Sequence, residues 1–120
     1  MDVVVEIGGW EHECCGPSLE RAQLVDLGCL RRTAPDGEVH LVETHHHREP
    51  DVHVRGRVRD VMVLRPGRPA QQVLRLPGGE ALRGFDAEDD GHLETPWTGE
   101  VLPRGEDFLV VVRTADRGRP

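Results

Sequence analysis

Alternation of apolar and polar positions is sharpest over residues 52–59. Val52, Val54, Gly56 and Val58 share one face, and His53, Arg55, Arg57 and Arg59 share the other. A period of two is that of a half-buried strand. The phase breaks at Asp60, after which Val61, Met62, Val63 and Leu64 are all apolar. This predicts a bulge, or a strand passing from one packing surface to another. Gly56 is where such a strand would bend or meet another backbone closely.

The same reading gives the other elements. Residues 3–7, VVVEI, are β-branched at four of five positions and predict a first strand, ended by Gly8 and Gly9. Residues 10–20 have no clear period and predict a loop, with a short helix from Ser18 as the alternative. Residues 22–32 alternate through Val25, Leu27 and Cys29, and Gly28 argues against a helix there. The turn chemistry of APDG at 34–37 and the strand-like run EVHLVET at 38–44 complete a β-hairpin. Pro66, Gly67 and Pro69 mark a turn, and residues 73–76 a short strand. Residues 77–105 read mostly as loop, with brief pairings around Leu93 and at Val101-Leu102. Residues 107–114, DFLVVVRT, predict a central final strand.

Five to six strands and no long helix define an all-β chain. The expectation is a small, partly closed barrel or sheet roll, OB-like or SH3-like. Residues 1–115 form it as one domain and residues 116–120 are a polar tail. Closure would hide the edges that VVVEI and FLVVV otherwise expose.

Composition narrows the function classes. The 120 residues carry a formal net charge of -7. That balance argues against nonspecific binding to duplex nucleic acid, which is driven by phosphate neutralisation. Every basic residue is Arg, so a Schiff-base lysine and a Walker-type phosphate-binding lysine are excluded. No apolar run reaches the 18 or more residues of a membrane-spanning helix. The N-terminus lacks the positive region of a signal peptide, and the three cysteines are an odd set. The expectation is a cytoplasmic protein with reduced thiols. A protein or small molecule would be its partner, and strand-edge pairing would allow a homo-oligomer.

Two strings hold the candidate chemistry: GGWEHECCGP at 8–17 and ETHHHREPDVH at 43–53. Thiolate and imidazole are the ligands preferred by Zn²⁺. On an extended backbone His45 and His47 point to one side and His46 to the other. The candidate metal ligands are therefore Cys14, Cys15, His45 and His46, with His47 as a substitute. The spacing is not that of a zinc knuckle, which wants Cys-x₂₋₄-Cys. Two other readings stand beside it. In one, Cys14 or Cys15 fills the core as a small apolar residue and the histidines end a hairpin. In the other, Cys14 or Cys15 is a nucleophile paired with a histidine, and Glu13 or Glu43 orients the ring. Trp10 is either a partly buried anchor for the first loop or one wall of a ligand cleft. The arginines at 55, 57 and 59 read as a solvated face balanced by Asp51 and Asp60, and residues 86–90 as a solvated acidic loop.

Residues 3–65 resemble a family of small actinobacterial proteins with no established activity. The resemblance rests on Trp10 followed by Cys14-Cys15-Gly16, on an acid before paired histidines (Glu43, His45, His46), and on an R-G-x-V strand at Arg55, Gly56 and Val58. It implies that the cysteine pair and the histidine pair form one linked site. The leading expectation is a non-enzymatic binding or structural module, with a Cys/His zinc site as its first variant. The alternative is a thiol-dependent enzyme.

Overall fold

The computed structural model describes residues 1–44 and 49–115. Five long strands carry the fold: β1 (Asp2–Gly8), β3 (Leu24–Thr33), β4 (Val39–Glu43), β5 (Val52–Leu64) and β10 (Asp107–Thr114). Shorter pieces are β2 (Leu19–Glu20), β6 (Gln71–Gln72), β7 (Arg75–Leu76), β8 (Leu93–Glu94) and β9 (Val101–Leu102). Two short helices, α1 (Gly9–Cys15) and α2 (Gly79–Leu82), pack on each other. No helix among the described residues is long and apolar enough to cross a membrane.

Hydrogen bonding runs β10-β1-β4-β3-β5, and β5 returns to β10, closing a ring. The one parallel contact is β1 with β4, limited to Val5–Leu41 and Glu6–Val42. The four other contacts in the ring are antiparallel. This is the pairing scheme of a five-stranded OB barrel, with the chain entering at what is ordinarily the third strand. The first helix then falls between the third and fourth strands of that scheme, as α1 does here.

β5 behaves as its pattern predicts. Val54 and Val58 face the interior, then Val61 and Val63 do. The parity changes because the register against β10 slips between Val111 and Val112. The extra residue lets one long strand pair with β3 at its start and β10 at its end. At Gly56 a Cβ would lie 2.1 Å from the Arg113 carbonyl oxygen, the close approach expected there. The core fills from Val5, Ile7, Cys29, Val110 and Val112 among others.

The long apolar strands were legible, but residues 9–15 are helical, where a loop was expected. Residues 77–105 are mostly loop, as expected, with the brief pairings β8 and β9 at Leu93 and at Val101-Leu102; the short helix α2 is the addition. The arginine face is solvated, with different partners. Arg55 pairs with Asp26 and Arg59 with Asp2, while Asp60 pairs with Arg21. Asp51 accepts from the Arg31 amide.

Candidate functional site

A seven-residue helix is too short to persist alone, so α1 depends on tertiary contacts. Its first amide, Gly9 N, donates to Asp107 Oδ1 at 3.0 Å, which supplies from β10 the cap that Gly8 lacks. At its end Gly16 N donates to His12 O at 2.7 Å, and Gly79 N donates to Gly16 O at 2.9 Å. Three glycines make the fit. An added Cβ would lie 1.9 Å from Glu106 O at Gly9, 2.0 Å from His12 Nδ1 at Gly16, and 2.4 Å from His12 O at Gly79. Backbone thus packs directly on backbone and ring. His12 is the buried side of the helix, 1% exposed, with its ring tilted against Phe108.

The last turn of the helix presents the thiols. Cys14 and Cys15 are both exposed, and neither is in a disulfide. The Cys15 thiol points at Cys14 Sγ across 2.8 Å. Both residues line an open cleft of about 360 Å³ between the two helices, with Ser18, Glu80, Arg83, Asp86 and Asp89 also on its walls. Asp89 is neutralised by Arg75, which leaves Glu80 and Asp86 against the Arg83 guanidinium, a balance that still favours a cation over an anion. The hydrogen bond to Cys14 comes first in holding the Cys15 pKa above the ordinary thiol value, ahead of desolvation. Arg83 stacks on Phe85, 5.2 Å from the ring centroid.

Neither cysteine of the pair fills the core. That role belongs to Cys29, fully buried and facing Glu43 across the β3–β4 ladder. Burial, and then the Glu43 charge, push its pKa up to about 12, so it stays a neutral thiol. Trp10 is 84% exposed and lines none of the cleft. It stands one helical turn before Cys14, at the i, i+4 spacing that shares a face, and is not the buried anchor of one expectation.

The candidate ligands His45, His46 and His47 lie outside the described residues. The chain on either side of them is clear. β4 runs parallel to β1, so both strands finish at the end of the barrel where α1 starts. Thr44 N then donates to Gly28 O at 2.9 Å, and Asp51 N to Cys29 O at 2.8 Å. His53 is not part of this site: its Nδ1 is 2.8 Å from Asp26 Oδ1 on the outer face of the sheet. Among the described residues no three His, Cys, Asp or Glu side chains converge as a metal site.

A second concavity, about 660 Å³, crosses the outside of the barrel where β1 and β4 diverge. Val4, Val39 and Leu109 line its floor, and Asp2, Glu6 and Glu38 its rim. Those acids disfavour a polyanion. Among these concavities, the cleft between the helices is the one lined by thiols.

Comparison with family profiles, with curated proteins and with solved structures returned no match.

The inward role of His12 was missed at the sequence level. A histidine between two glutamates in a string with no period offers no burial signal. The Gly78-Gly79 pair was the available hint, since adjacent glycines often mark a close backbone approach.

Proposed function

We propose that the chain is a non-enzymatic binding module that takes a soft cation of the Zn²⁺ class. Cys14 and Cys15 supply two thiolates. His45 and His46, or His47 in place of one, complete the shell. The observation that carries this reading is the pair of exposed sulfurs 2.8 Å apart on one wall of an acid-lined cleft. The resemblance of residues 3–65 to a family that carries a CCG string and a His-His string is in keeping with it. So is the parallel course of β1 and β4, by which the last residue of β4, Glu43, lies at the same end of the barrel as Gly8, where α1 begins. A bound ion would tie α1 to that segment and add its binding free energy to folding.

The alternative is a thiol-dependent enzyme. A nucleophilic Cys14 or Cys15 needs an adjacent base, and no histidine is among the described residues that line the cleft. His12, the imidazole on the same helix, points its Nε2 at Pro77 O, 2.7 Å away in the interior.

The test is zinc content of the purified protein before and after chelator, with thermal unfolding followed in both states. One equivalent of zinc per chain, and a fall in melting temperature on its removal, are expected. A metal-free protein that gains neither zinc nor stability on addition contradicts the proposal.

A further inference from the structure

We propose that Cys14 and Cys15 also capture trivalent arsenic, or an equivalent trivalent metalloid, as a cyclic dithiolate. This rests on reading the cleft as thiophilic but does not need the histidines. The argument is one of adjacency. Cys14 and Cys15 are neighbours in sequence, both are exposed, and their thiols are in direct contact on the wall of the cleft. One small centre can therefore bridge both sulfurs without any rearrangement of the fold.

Ligand count points the same way. Two sulfurs and one non-protein group satisfy a trivalent metalloid. Among the described residues the cleft offers those two sulfurs and no larger converging set. The step balances without a redox partner. Arsenous acid, As(OH)₃, condenses with two thiols; two As–S bonds form, two As–O bonds break, and two waters leave. The product is (RS)₂AsOH. Phenylarsine oxide reacts likewise, with loss of one water, to C₆H₅As(SR)₂. Cys29 takes no part, since it is buried within the barrel.

Reduced protein would be titrated with phenylarsine oxide under native conditions, following accessible thiols and intact mass. One arsenical per chain, with loss of both accessible thiols, is expected. Cys14→Ser and Cys15→Ser should each weaken binding about 100-fold, because the second bond is then no longer intramolecular. Cys29→Ser should bind as the wild type does. Circular dichroism of each variant establishes that it is folded, and Cys14→Ala serves if Cys14→Ser is not. Wild-type binding no tighter than that of a folded single-thiol variant overturns the proposal. A His45→Ala/His46→Ala/His47→Ala variant separates the two readings: zinc binding should fall while arsenical binding is retained. Loss of zinc binding alone in the wild type would sink the zinc reading and leave this one standing.

Discussion

His12 Nε2 donates to the Pro77 carbonyl oxygen at 2.7 Å, joining residues 65 positions apart inside the molecule. Pro77 directly follows β7, so the bond ties α1 to the segment leading into α2. His12→Leu keeps the volume roughly and removes the donor. An acceptor left buried without its partner costs about 1–3 kcal/mol. Urea denaturation should show a loss of that size. A variant as stable as the wild type would mean that the bond does not hold the helix.

Backbone proximity at Gly79 predicts a larger effect. In Gly79→Ala the new methyl would meet His12 O at 2.4 Å and Glu13 O at 2.5 Å. Neither is a flexible side chain, so α1 must lift away, at a cost of about 1–3 kcal/mol or more. Gly8→Ala is the control: nothing lies within 4 Å, and its backbone is extended. Its stability should change by no more than about 0.5 kcal/mol. Equal effects at the two glycines would contradict the packing account.

Acid should loosen the segment after α2. Asp89 accepts two 2.6 Å hydrogen bonds from Arg75 and one of 2.9 Å from the Gly91 amide. Chiefly through Arg75, its pKa falls from 3.8 to about 2. A carboxyl with a lower pKa in the folded state stabilises fully above its unfolded value. That stabilisation is lost as pH falls through about 2. Both side chains keep some solvent contact, 22% and 23%, so the contribution is about 1–2 kcal/mol after screening. Asp89→Asn should be less stable than the wild type at pH 7, and the gap should narrow as pH falls from about 4 toward 2. A gap that stays constant over that range would place the effect elsewhere.

The three thiols should divide two to one. Cys14 and Cys15 are exposed, and Cys29 is buried with its pKa at about 12. Native alkylation at pH 8 should label the first two and spare Cys29, which reacts only after unfolding. Rapid native labelling of Cys29 would show that the barrel opens there.

How much of this the sequence carried depended on where the stabilising contacts come from. β5 was legible, bulge included, because a strand's burial writes a period of two into its own residues. The hairpin of β3 and β4 was legible for the same reason, with APDG between them. α1 was not, because what stabilises it is remote: Asp107 caps it from 98 residues away, and Gly79 lets it approach. A cap so distant leaves no local pattern. The thiol pair was singled out by composition, but its exposure was not predictable. Cys29 sits in an alternating strand and took the buried role that one expectation gave to Cys14 or Cys15.

The central claim is that the α1 thiols ligate a soft cation. Cobalt(II) titration of the reduced, metal-free protein tests it most directly, because Co²⁺ bound to thiolate gains a sulfur-to-metal charge-transfer band. The account predicts saturation at one Co²⁺ per chain, displacement by Zn²⁺, and loss of the band in Cys14→Ser and Cys15→Ser but not in Cys29→Ser. Absence of any charge-transfer band in the folded wild type, or a band that survives both single substitutions, would contradict it.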